Sequence, residues 1–282
     1  MGLFIPASVY GPVALEAYRG TARRRISMHI ALTFLLMALV GISLGLLGGG
    51  GGVLAVPILV YVAGVKAQTA VAMSLAIVCA TSLMGAVLHF RDKRVNLRVA
   101  VMMAIGGSIG AYLGARGTNL VARHTLMFSF SLLMLIVGIL MVYRSKNDLR
   151  RNEEREELSA RWPIAFLAGS GIGVVTGFLG VGGGFLIVPT LVFIVGLSMK
   201  VAVGTSLSII SVNTLSGLIS QLSVQEIPLK FTAALSGISI IGAIVGNQMV
   251  DQFASRKLKE VFGFFILILG VVLVANYLRY LF

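Results

Sequence analysis

Residues 45–57 read GLLGGGGGVLAVP. Five glycines, Gly48 to Gly52, stand in a row between two apolar runs. After proline, glycine is the residue least suited to a helix interior, so this run ends whatever helix enters it. Residues 177–189 repeat the pattern as GFLGVGGGFLIVP, 132 positions further along. The same offset carries Gly41, Gly45, Pro57, Gly64, Gly85, Gly110, Gly114 and Gly138 onto Gly173, Gly177, Pro189, Gly196, Gly217, Gly242, Gly246 and Gly270. Small residues kept in phase over so long a stretch mark an internal duplication. The repeats are 29–143 and 162–282, preceded by a segment at 1–28 and joined by the charged linker RSKNDLRRNEEREELSAR at 144–161.

Composition fixes the class. Charged residues make up 12% of the 282, about half the roughly 25% of a soluble domain. They cluster between apolar runs of about 20 residues, the length that crosses a bilayer as a helix. The chain reads as an all-α integral membrane protein. Its net charge of +13 is explained by Lys and Arg gathering in cytoplasmic loops, and nucleic acid is not implied. Cys79 is the sole cysteine and reads as a small packing residue. His29, His89 and His124 are far apart in sequence, so no metal cluster or cofactor is expected. The basic cluster of the N-terminal segment follows its apolar part, which suits a surface-lying segment better than a signal peptide.

Each repeat reads as a long helix (29–47 and 162–179), the glycine break, and a short apolar run (53–63 and 185–195). Three further helices follow in each: 70–90, 97–116 and 124–143, then 202–222, 229–250 and 258–280. The short runs cannot cross a hydrocarbon core of about 30 Å at 1.5 Å per residue. They are predicted to be half-helices that begin near the midplane, leaving about eight spans as two four-helix repeats. Placing the N-terminal arginines, RDKRVNLR (91–98), the linker, Lys230 and Arg279 together in the cytoplasm puts most Lys and Arg inside, with ASRKLKE (254–260) left on the wrong side. That arrangement makes the halves parallel repeats about an axis along the membrane normal.

A helix broken in a membrane is tolerated only inside protein or beside a wet cavity. Paired breaks are the best sequence pointer to a transport site. The helix restarting after each break aims its N–H groups and dipole at the gap, which attracts anions. No Asp or Glu lies within an apolar span, so a cationic cargo is disfavoured.

These paired motifs, each followed by an A-V-x-x-S-L segment (70–75 and 202–207), resemble the sulfite exporter TauE/SafE family of membrane permeases. The likeness runs over roughly 30–280. It implies an eight-helix bundle that moves sulfite, sulfoacetate or a similar organosulfonate across the bacterial inner membrane. The sequence departs from perfect repetition at Gly49, which stands where the second half has Val181.

The expected substrate-binding residues are Gly50, Gly51, Gly52, Gly182, Gly183 and Gly184 at the breaks, with Ser74, Thr205, Ser206 and Asn213 from the following helices. The competing reading of the break glycines is close helix packing. Packing is the preferred reading for the GxxxG pairs at 41/45, 173/177, 110/114 and 242/246. Hydroxyls such as Ser74, Thr81, Ser82, Ser208, Ser211 and Thr214 either line the site or bond back to their own helices. His89 and its counterpart Gln221 are either gate contacts or interfacial residues. An intramembrane enzyme is disfavoured, because no nucleophile–base pair or paired carboxylates lie in the spans. A small anion and the lipid bilayer are the expected partners. A larger transport complex, a channel-like anion pore and a homo-oligomer stay open.

Overall fold

The computed structural model describes residues 12–49, 51–117, 132, 134–143, 162–179, 184–222 and 227–281. These are helices and short connections, with no strand among them. The helices are α1 (Pro12–Leu47), α2 (Gly52–Pro57), α3 (Ala67–Arg91), α4 (Leu97–Gly117), α5 (Met134–Tyr143), α6 (Trp162–Leu179), α7 (Gly184–Thr190), α8 (Met199–Leu222), α9 (Leu229–Gln252) and α10 (Ser255–Leu281). Ile30–Leu47, Gln68–Arg91, Met199–Ile219 and Leu229–Val250 are each long and apolar enough to cross a membrane. Shorter apolar helices include Gly52–Val62 and Gly184–Val195. The all-α membrane class follows directly. Helix α1 begins earlier than the apolar run, so part of the expected surface segment is continuous with it. The linker lies outside the described residues.

Both short helices end in the same way for the same reason. Pro57 and Pro189 each sit near the end of α2 and α7. A proline supplies no N–H to the helix ladder, and each helix widens into a π-helical turn, Ile58–Val62 and Leu191–Val195. Gly64 (φ 69°) and Gly196 (φ 86°) then take the left-handed conformation that closes a helix. The N–H of the following residue bonds back to Leu59 O and Leu191 O, both at 2.9 Å.

The main packing runs between the halves: α1 lies on α9, α4 on α6, and α3 on α8. Contacts recur at the 132-residue offset. A Cβ added at Gly242 would collide with Ala38 O, and one at Gly110 with Ser170 O, where 38 and 170 are equivalent positions. Gly41 and Gly45 likewise press on the backbone of Ser239 and Ala243. Gly41, Gly45, Gly110, Gly242 and Gly246 are therefore packing residues, as expected.

The pairing of α3 with α8 corrects the symmetry. Gly85 lies against Leu207, Gly217 against Leu75, and Cys79 donates from Sγ to Ser211 O at 3.8 Å, 132 residues away. Residue numbers rise along one helix as they fall along the other, so α3 and α8 are antiparallel. Two equivalent spans can lie antiparallel only about a two-fold axis in the membrane plane. The repeats are inverted, not parallel. Their ends also part company. Asn247, near the end of α9, donates to Asp92 of RDKRVNLR at 3.3 Å, whereas Lys230 sits at the start of α9, about 25 Å away at 1.5 Å per residue. Lys230 therefore lies across the membrane from RDKRVNLR, not beside it. The short elements account for the difference: each half-helix carries the chain back to the face its long helix came from, which makes the crossings per half odd. ASRKLKE, which opens α10 directly after α9, falls on the same face as RDKRVNLR.

Cysteines introduced singly in a Cys79→Ala background test this arrangement with an impermeant thiol reagent. Arg98→Cys and Arg256→Cys should label from one side and Lys230→Cys only from the other. Labelling of Arg98→Cys and Lys230→Cys from one side, with Arg256→Cys from the other, would restore the parallel arrangement.

Candidate functional site

The two glycine breaks meet at the centre of the molecule. A Cβ at Gly49 would collide with Gly184 O, and one at Gly184 would stand 3.4 Å from Gly49 O. The loops thus touch backbone to backbone. Around them the contacts follow the repeat again. Gly52 faces Val78, with a Cβ position 3.5 Å from its methyl carbons, and Gly184 faces Ile210 at 3.2 Å, 78 and 210 being equivalent. Val78 and Ile210 are mid-helix residues of α3 and α8, so α2 and α7 both start at mid-depth. Each then leads to the start of α3 or α8, and these starts lie on opposite faces because the helices are antiparallel. The half-helices therefore diverge from the centre with their N-termini facing one another. The positive ends of two helix dipoles converge on one spot. Gly51 precedes α2 with no side-chain cap on the helix.

The expected site residues divide. Gly51, Gly52 and Gly184 stand at this junction, while Gly50, Gly182 and Gly183 lie outside the described residues. Gly51 has a packing duty: its Cβ position is 2.6 Å from Val40 O and collides with Ser43 Oγ. A valine there would disrupt the packing on α1 itself. Gly48 (φ 77°) turns the chain out of α1. Ser206 Oγ lies within bonding reach of both Gly48 O and Val203 O. Its single proton serves one at a time, so Ser206 ties α8 to the break in the other half.

Most of the remaining hydroxyls bond to their own helices. Ser74 donates to Val71 O at 2.8 Å, Thr81 to Ile77 O at 2.7 Å, Ser208 to Gly204 O at 3.1 Å, Ser211 to Ser208 O at 2.9 Å and Thr214 to Ile210 O at 2.7 Å. Thr205 Oγ1 instead accepts from the Asn96 N–H at 3.0 Å. Asn213 is exposed. It is two residues from Ser211, which meets α3, and so points to the opposite side of α8. The structure does not bring it to the glycine junction. Gln221 lies in the last turn of α8.

His89 is fully buried within the protein, in the last turn of α3 beside the basic loop. Its Nε2 lies 3.2 Å from Gly45 O, in the last turn of α1 before the break. It belongs to a polar cluster that the sequence did not disclose. Asp92 accepts from Asn247, and Arg94 pairs with Asp92 at 3.6 Å. Asn96 Oδ1 caps α4 through the Val99 N–H at 3.1 Å. Gly204 admits this loop, since a Cβ there would stand 2.8 Å from His89 Cβ and collide with Arg94 O. Two signals pointed this way: Asn96 directly before an apolar helix, which is a capping position, and Asn247 alone in the apolar run IIGAIVGNQMV.

The sequence that builds this junction is matched by a known family. The family model described as sulfite exporter TauE/SafE matches residues 33–273. The chain belongs to the TauE/SafE family. A probable membrane transporter protein of Xylella fastidiosa (strain 9a5c) is 34% identical over 242 residues, covering 84% of this chain and 91% of its own length. The probable membrane transporter protein YdhB of Bacillus subtilis (strain 168) is 24% identical over 229 residues, covering 81% and 94%. No solved structure matches. This TauE/SafE member is thus a multi-pass membrane permease.

The tie between Ser206 and the break gives a stability prediction. Ser206→Ala leaves the Gly48 carbonyl without that donor and should cost about 1–3 kcal/mol, read as a lowered melting temperature in detergent. Ser74→Ala removes a bond within one helix turn and should cost less than about 1 kcal/mol. Equal losses would mean that Ser206 does not tie the halves.

Proposed function

We propose that this permease carries a small sulfur-containing anion, such as sulfite or an organosulfonate, across the bacterial inner membrane. The observation that carries the reading is the junction where two half-helix N-termini face one another across touching glycine loops. Each terminus attracts an anion by about 0.5–2 kcal/mol, and each charge-assisted hydrogen bond from a backbone N–H adds about 1.5–3 kcal/mol. That sum holds an anion weakly enough for release. The sulfite named in the family description supports the cargo class. The site comprises the break glycines 50–52 and 182–184 and their N–H groups. Gly52 and Gly184 open the two half-helices, and Ser206 holds the loops together. Asn213 has no part in it. The face that bears RDKRVNLR and ASRKLKE, and where α6 begins at Trp162, is rich in Lys and Arg, which makes it the cytoplasmic face. Helix α1 starts on the other.

Proteoliposomes supplied with sulfite, thiosulfate, sulfoacetate, taurine and carboxylates test the cargo by counterflow. Saturable exchange of the sulfur anions is the expected result, and unsaturable flux would mean a channel. Gly52→Ala tests the place. Its new Cβ fits at ordinary contact distance from Val78 and Leu44, so the protein should fold. Crowding the start of α2 should cost one ligand hydrogen bond and about ten-fold in apparent affinity. Wild-type affinity in this variant would move the anion away from α2.

A further inference from the structure

Helix α8 changes character along its length. It is buried from Ala202 to Leu207 and again at Ile209, Ile210 and Ser211. Beyond that point Val212, Asn213, Leu215, Ser216 and Ile219 are exposed. The exposed residues divide into two rows. Val212, Leu215 and Ile219 recur at i, i+3 and i+7, an apolar stripe fit for lipid. Asn213 stands seven residues, or two turns, from Ser206 and so shares its face. Ser216 follows three residues later. Ser206 is the residue that reaches Gly48 O at the break. The polar row therefore runs from the glycine junction toward the end of α8. At 1.5 Å per residue, Asn213 lies about 4.5 Å and Ser216 about 9 Å past the mid-depth residue Ile210.

The first half does not share this exposure. The counterpart of Asn213 is Thr81, which is fully buried, and that of Ser216 is Met84, which is half-buried. Helix α9 packs on α3 more extensively than its counterpart α4 packs on α8. Past Thr81, Asn247 of α9 closes on Asp92. Equivalent surfaces are thus covered toward the RDKRVNLR face and uncovered toward the opposite face, where α8 ends.

We propose that the polar row of α8 borders a water-filled path from the face opposite RDKRVNLR to the glycine junction, and that Asn213 is the side chain an anion meets on the way in. This rests on the anion-carrier reading above. A carboxamide near the middle of a bilayer is costly unless a partner or water meets it, and polar side chains at that depth face the protein interior or a wet cavity. The Asn213 amide offers two N–H donors, which suits an anion that has shed part of its water. Exposed Lys66 and Lys230 stand at the starts of α3 and α9 on the same face, and their charge draws anions toward the mouth. Asn213 is a contact on the path, whereas the N–H groups of the junction hold the cargo. With the RDKRVNLR side closed, the site faces one side of the membrane, as a carrier requires.

Single cysteines in a Cys79→Ala background test the path with methanethiosulfonate ethylsulfonate. This reagent is anionic and impermeant, and it attacks thiolates, which apolar surroundings suppress. Asn213→Cys and Ser216→Cys should react from the face opposite RDKRVNLR at least about ten-fold faster than Thr81→Cys. The same margin should separate them from Ile268→Cys, an exposed apolar position midway along α10. Equal rates at Asn213→Cys and Ile268→Cys overturn the proposal and mean that lipid or a second copy of the chain covers this face. Reaction from the RDKRVNLR face alone overturns it as well. Counterflow of radiolabelled sulfoacetate in proteoliposomes gives the second readout. Full modification of Asn213→Cys or Ser216→Cys should cut it at least about ten-fold, because a fixed sulfonate obstructs and repels the anion. Counterflow unchanged by full modification of both variants overturns the path. If wild-type protein shows no sulfoacetate counterflow, the cargo reading fails, and the labelling, which needs no substrate, still decides the path.

Discussion

Peptide groups that leave a helix inside hydrocarbon must find partners within the protein, at several kcal/mol apiece if they do not. The architecture is organised by that constraint. Gly48 turns the chain out of α1, and from there to Gly52 the backbone lacks side chains that could shield it. Shielding comes from the other half: Ser206 bonds to Gly48 O, and Gly184 backs onto Gly49. The first half does not enclose its break alone. The exchanged packing of α1 on α9 and α4 on α6 presses the halves together closely enough for this to work, which is why glycines line those contacts as well.

Much of this was legible in the sequence because it rests on covalent properties. Glycine and proline act locally, so the breaks, the short helices and the duplication could be read directly. Pro57 and Pro189 show the same local logic in the π-helical turns that follow them. The packing duty of the GxxxG pairs was equally readable. Symmetry was not. Whether a half-helix returns to the face it came from depends on how the connection after Gly64 joins α3, and a loop of a few residues permits either course. Charge counting then chose wrongly, because it placed the N-terminal arginines and RDKRVNLR together when a half with an odd number of crossings must separate them. The misfit of ASRKLKE was the visible sign of that error.

The site residues show a similar division. Polar type alone brought Asn213 into the candidate list and left Asn247 out, although both are asparagines in apolar helices. Their difference is rotational: Asn247 faces the loop after α3, whereas Asn213 points away from it. Hydroxyl groups were weak markers for the reason given by their bonds, since most of those described are satisfied one turn back along their own helices. His89 was read as either a gate contact or an interfacial residue, and it is buried within the protein. Its burial follows from Gly204, whose missing side chain lets the loop fold inward.

The antiparallel crossing of α3 and α8 has an energetic corollary. In an inverted repeat, exchanging the conformations of the halves turns a structure open to one face into one open to the other. Perfectly matched halves would make the two forms equal in free energy. Here the counterparts of His89, Asp92, Arg94 and Asn247 are Gln221, Val224, Glu226 and Ala115. The residues that form the latch of hydrogen bonds and an ion pair on one face are not repeated in sequence in the other half. That mismatch helps to lift the degeneracy and so biases the resting population.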